Sequence, residues 1–120
     1  MPKTTGKIAL VTGANRGIGF EIARQLAAGG ITVLTGTRNE ERGIAARNRL
    51  SALGHDVYHI LLDVADPLQI QAAVGRIKDD FKRLDILVNN AGIMIDSRTS
   101  ILELNLTMLQ NTLKVNALYE

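Results

Sequence analysis

The chain has 120 residues, a net charge of +2, 46% apolar residues and no cysteine. That length fits a single domain with a real core. The charge is too small and its cations too scattered to argue for nucleic acid, and a chain without cysteine has no disulfide, thiolate metal site or cysteine nucleophile. No apolar run approaches the ~18–20 residues of a membrane helix, and Met1-Pro2-Lys3-Thr4-Thr5-Gly6-Lys7 carries no hydrophobic signal core, so the expected compartment is the cytoplasm.

The first predicted strand is Lys7 to Thr12. Its apolar residues run continuously rather than alternating, as in a parallel strand buried on both faces. It leads into Thr12-Gly13-Ala14-Asn15-Arg16-Gly17-Ile18-Gly19, from which a helix follows over about Arg16 to Ala28. Strand, glycine turn and helix start together aim backbone N–H groups and a positive helix end at a phosphate. Gly13 suits a tight turn off the strand, Gly17 a close approach of backbone to pyrophosphate, and Gly19 close packing of helix on strand. The spacing is not that of a P-loop, since no Lys-Ser/Thr follows the last glycine. Ile18, Ile22 and Leu26, with Ala23 and Ala27 beside them, form the predicted inward stripe, and Gly29-Gly30 ends the helix.

A β-branched second strand begins at Ile31 and runs to Thr35 or a little beyond. The second helix spans about Asn39 to Leu53, with Asn39 as N-cap, Glu40 and Glu41 at its positive end, and Ile44, Leu50 and Leu53 facing inward. Val57 to Leu62 is the third strand. Asp66 caps the third helix, Pro67 sits in its first turn, and Ile70, Val74, Ile77 and Phe81 share a stripe. Ile86-Leu87-Val88 is the fourth strand; Asn90-Ala91-Gly92 and a loop follow. A last helical pattern starts near Thr107, with Leu109, Leu113 and Asn116 at helical spacing, after a short helical turn over Ile101-Leu102-Glu103-Leu104. His55 and His59 lie four apart without a third ligand nearby, so no metal site is read here.

Four alternations of strand and helix with short connections predict an open α/β sheet of parallel strands joined by right-handed crossovers, a single unit over residues 1–120. Ligands of such sheets bind beyond the carboxyl ends of the strands. The glycine stretch, Arg38, Asp63 and Asn90 each follow one of the four strands and converge there.

Thr12-Gly13-x-x-x-Gly17-x-Gly19, Asp63-Val64 and Asn89-Asn90-Ala91-Gly92, in this order and spacing, resemble the N-terminal half of the short-chain dehydrogenase/reductase family. The resemblance implies a Rossmann-type sheet with helices on both faces, truncated here after about four strands. It implies that Gly13, Gly17 and Gly19 line the cofactor pyrophosphate, with Asn15 and Ile18 in the same wall. Asp63 and Val64 would contact the adenine, and Asn90, Ala91 and Gly92 would pass the adenine-side ribose, with Thr12 tying that turn to the first loop. Asn116 is similar to the asparagine of the family's catalytic tetrad, which holds a water in a proton relay.

NAD-preferring members carry an acidic residue at the end of the second strand; this chain has Thr37 there, then Arg38, with Arg16 inside the glycine stretch. Two guanidinium forks suit the 2′-phosphate of NADP(H), so NADP (NADPH) is expected over NAD. The resemblance also implies a small carbonyl or alcohol substrate for the complete enzyme. The family's Tyr-x-x-x-Lys pair is missing, since Tyr58 precedes Leu62 by four and only Glu120 follows Tyr119. The family's serine after a fifth strand is missing too, because no fifth strand is expected. The sequence therefore predicts half a cofactor site, inactive alone, with the fourth strand as an exposed edge open to self-association. The alternative is a non-catalytic dinucleotide-binding or interaction module. A phosphate-receiver, flavodoxin-like domain fits the strand count but leaves the glycine spacing unexplained.

Overall fold

The apolar run Ile8-Ala9-Leu10-Val11 opens β1, Ile8–Thr12, which is buried along its whole length. The computed structural model describes residues 6–15, 17–90 and 117–119. After β1 come α1 (Gly17–Ala28), β2 (Thr32–Thr37), α2 (Glu40–Ser51), β3 (Val57–Leu61), α3 (Pro67–Arg76), β4 (Ile86–Val88) and β5 (Ala117–Tyr119). The strands form one sheet in the order β3-β2-β1-β4-β5, every pairing parallel. This is the Rossmann-type α/β architecture the sequence predicts, with chain order reversing beside β1.

Two cores explain why β1 is apolar at successive positions. Ile8 and Leu10 pack with Leu34, Ile60, Ile70, Val74 and Ile77 under α3. Val11 packs on the opposite face with Ala23, Ala27, Val33 and Leu50 under α1 and α2. Strand side chains alternate between faces, so a strand covered on both sides needs apolar residues at each position.

Both helices of the second face sit differently from their predicted stripes. α1 buries Gly19, Ala23 and Ala27, while Ile22 and Leu26 pack along its flanks and Ile18 is 73% exposed. α2 buries Gly43, Ala46 and Leu50, leaving Ile44 42% and Leu53 64% exposed. Leu50 faces the sheet as expected; at the other buried positions of both helices small residues face it, because they let the helix axis come close. Arg49 of α2 lies over the Phe20 ring of α1 at 4.5 Å, a cation–π contact joining the two helices.

Caps follow the sequence. Asn39 accepts from Arg42 N–H at 2.9 Å and Asp66 from Leu68 N–H at 3.0 Å. α3 runs on into a wider π-type turn, Ile77–Phe81, closed by Lys82 N–H to Ile77 O at 2.9 Å with Lys82 at φ 71°. β4 then begins after Asp85, a buried carboxylate that accepts from Ile8 N–H at 2.9 Å and from Arg83.

β5 departs from expectation. Its residues pair with β4, Ile86 with Ala117 through Val88 with Tyr119, so the sheet has a fifth strand and β4 is bonded on both sides. The exposed edge expected at β4 is therefore absent, because its outward N–H and C=O groups have backbone partners. The helical pattern expected over 107–116 and the turn at Ile101-Leu104 lie outside the described residues.

Candidate functional site

The carboxyl ends of four parallel strands carry the residues singled out in the sequence. Thr12 ends β1 and is fully buried. Its hydroxyl accepts from Asn90 N–H at 2.9 Å and lies 3.2 Å from Asn89 Oδ1, to which it donates. The Asn90 amide donates in turn to Gly13 O at 3.3 Å. The turn after β1 and the turn after β4 are thus bonded into one wall, across 78 residues of sequence.

The glycines hold distinct positions in that wall. Gly13 and Gly17 have φ of 63° and 61°, a region costly for residues with a Cβ. Gly13 N–H is fixed to Gly36 O of β2 at 2.8 Å. A Cβ on Gly19 would lie 2.3 Å from Gly13 O and 2.4 Å from Asn90 Nδ2, so α1 can start this close to the wall only with glycine there. A Cβ on Gly17 would meet nothing within 4 Å among the described residues, which leaves space among them in front of the helix start. Exposed Ile18 lies beside that space, and half-buried Asn15 precedes it.

The electrostatics suit an anion. α1 has no acidic residue in its first turn, so its positive end is not neutralised there. Its single carboxylate, Glu21, is engaged by Arg24 and Gln25, and these hydrogen bonds hold it down at about 2. Arg38, just past β2, is exposed and has no hydrogen-bond or ion-pair partner among the described residues.

Asp63, past β3, is half-buried. Its Oδ1 accepts from Ala65 N–H at 3.0 Å, and its own N–H donates to Gln69 Oε1 at 2.7 Å. The carboxylate thus closes its own turn and keeps a second oxygen without a partner among the described residues. Val64 places its side chain in the α3 core, so any contact it makes with a ligand is through its main chain. Arg16, Ala91, Gly92 and Asn116 lie outside the described residues.

One cluster at this end escapes motif reading. Thr37, at the position where an acid would select NAD, is buried, and its hydroxyl lies 2.8 Å from His59 Nε2. Gly43 of α2 seats on both: a Cβ there would fall 2.1 Å from Thr37 Oγ1 and 2.2 Å from His59 Nε2. The signal in the sequence was Gly43 itself, since glycine inside a helix costs about 1 kcal/mol against alanine and needs a packing reason.

A parallel sheet in the order β3-β2-β1-β4-β5, with bonded turns and a helix start at its carboxyl edge, defines a Rossmann-type α/β domain. The chain belongs to the short chain dehydrogenase family, whose pattern matches residues 7–118. It is 48% identical over 97 residues to a (+)-neomenthol dehydrogenase of Arabidopsis thaliana, covering 78% of this chain and 33% of that protein. Menthone neomenthol reductase from Mentha piperita superposes with a TM-score of 0.70 at 45% identity, over 90% of this chain and 40% of that one. L-sorbose reductase from Gluconobacter frateurii, solved with NADPH and L-sorbose, gives a TM-score of 0.78 at 29% identity over 94% and 48%. The chain spans about a third of the curated relative it matches.

Proposed function

We propose that this chain supplies the adenine and phosphate half of an NADP(H) site in a reductase acting on a carbonyl or alcohol. The observation that carries the proposal is exposed Arg38, without a partner among the described residues, at the strand end next to the start of α1. The similar proteins point the same way: they are dehydrogenases and reductases, one of them solved with NADPH. In this reading Gly13, Gly17, Asn15 and Ile18 line the pyrophosphate, while Gly19 lets α1 close on them. The second oxygen of Asp63 accepts from the adenine amine. Asn90, Ala91 and Gly92 pass the ribose, and Arg38 with Arg16 takes the 2′-phosphate. Asn116 holds a water in the proton relay of the whole enzyme. The nicotinamide, when bound, donates or accepts the hydride.

Calorimetric titration of the chain with NADPH and NADH tests the cofactor. NADPH is expected to bind more tightly. Arg38→Ala is expected to weaken NADPH by about ten- to a hundredfold, the worth of a charged hydrogen bond, and to leave NADH nearly unchanged. Equal affinities, or a preference for NADH, would overturn the reading. These 120 residues contain no Tyr-x-x-x-Lys, so the chain alone is expected to bind without oxidising NADPH in the presence of carbonyl compounds.

A further inference from the structure

Arg38 is carried by a short turn whose two flanking residues are both pinned. On one side, Thr37 O accepts from Leu62 N–H at 2.8 Å, and the Thr37 hydroxyl donates to Asn39 O at 3.0 Å. On the other, Asn39 O also accepts from Gly43 N–H at 2.9 Å, and the Asn39 side chain caps Arg42 N–H at 2.9 Å. A hydroxyl has one proton to give. With that proton on Asn39 O, the 2.8 Å contact between Thr37 Oγ1 and His59 Nε2 is made by a proton on the imidazole. That assignment makes His59 the donor to Thr37 through Nε2–H. His59 is itself fixed, since its carbonyl accepts from Arg76 Nη1 at 2.7 Å. Gly43 lies so close over the contact that α2 locks it in place.

We infer that His59 is a positioning residue for recognition of the 2′-phosphate, holding Arg38 in place through the hydroxyl of Thr37. The inference rests on the NADP(H) reading and names a determinant one strand away from the phosphate. The same contacts place the Thr37 hydroxyl between β3 and the seat of α2. With Thr37 released, Arg38 would keep its charge but lose its fixed base, and a fixed fork is what makes guanidinium binding of a phosphate strong.

The test uses the full chain with two probes that differ by the 2′-phosphate, 2′,5′-ADP and 5′-AMP, titrated by calorimetry. Wild type is expected to prefer 2′,5′-ADP. His59→Leu, which lacks the N–H, is expected to lose about fivefold in 2′,5′-ADP affinity, the worth of an ordinary hydrogen bond, with 5′-AMP within twofold. His59→Gln, which restores an N–H donor, is expected to recover most of the loss. Nitrogen-15 NMR of wild type is expected to show His59 as the Nε2–H tautomer. Equal loss of both probes in His59→Leu would reduce His59 to a structural residue and overturn the inference. So would an unchanged 2′,5′-ADP preference, or the Nδ1–H tautomer. Should His59→Leu fail to fold, Thr37→Val breaks the same bond from its other end and carries the same expectation. A wild-type chain without 2′,5′-ADP preference overturns the NADP(H) reading and the inference with it, whereas preference kept in every variant overturns the inference alone.

Discussion

At the residue scale, Gly19 and His59 are both held in tight surroundings near the candidate site. A methyl group at Gly19 would press on the Gly13 carbonyl at 2.3 Å, and backbone in a tight turn has little room to move. Gly19→Ala is expected to cost about 1–3 kcal/mol in urea denaturation, as overpacking does, and to weaken nucleotide binding with it. His59 makes stability depend on pH. Burial holds its imidazole below the ordinary value; Glu40 opposes this and Arg76 adds to it. The unfolded chain then takes up a proton before the folded one does. The stability His59 contributes is full above about pH 6.5 and falls as pH drops through that value toward the folded one. Denaturation curves of wild type and His59→Gln between pH 8 and pH 5 check this: the gap between them is expected to change in that window, and parallel curves would contradict it.

At the element scale, periodicity located the helices but not the centre of each buried face. Leu50, Ala23 and Ala27 face the sheet as the pattern predicts, but Ile18, Ile44 and Leu53 do not, and Gly19, Gly43 and Ala46 meet the sheet beside them. Large apolar side chains mark a helix face, but close packing on a sheet selects the small residues beside them. Gly43→Ala separates the two effects. Helix propensity alone favours alanine by about 1 kcal/mol. Contact at 2.1 Å with the Thr37 hydroxyl opposes it, and the variant is expected to be less stable than wild type by about 1–2 kcal/mol once overpacking is included. A thermal melt with a raised midpoint would show that α2 can lift off the sheet without cost. The caps at Asn39 and Asp66 and the proline at the start of α3, by contrast, were legible in the sequence, because capping involves residues only two or three apart.

At the scale of the whole molecule, hydrogen bonds at both ends of the paired strands β1 and β4 tie the beginning of the chain to the segment around β4. At one end Asn90 bonds to Thr12 at the site; at the other is Asp85, whose carboxylate takes Ile8 N–H while its own N–H donates to Ile8 O at 2.8 Å. Asp85→Ala removes an acceptor from a buried N–H, which costs about 1–3 kcal/mol. It is expected to lower the urea midpoint without changing the slope, since the surface exposed on unfolding stays the same.

The sequence by itself determined the alternation of strands and helices, the parallel sheet and the positions of the turns that carry the site. These depend on apolar runs, caps and glycine spacing, all of which act between near neighbours or repeat at a fixed period. Gly13, Asp63 and Asn90 are legible as candidates because each lies just past a strand, and the ends of parallel strands meet at one edge. Only the tertiary structure decided what each side chain does there: that Asn90 clamps Gly13, that Asp63 closes its own turn, that Val64 belongs to the core, and that Thr37 turns inward to His59. It also supplied the partner strand of β4. Apart from the Asp63 turn, which joins residues two apart, the hydrogen bonds among these join residues 22 to 77 positions apart. Their geometry is set by how closely helices and strands approach in space, and no local pattern encodes that distance.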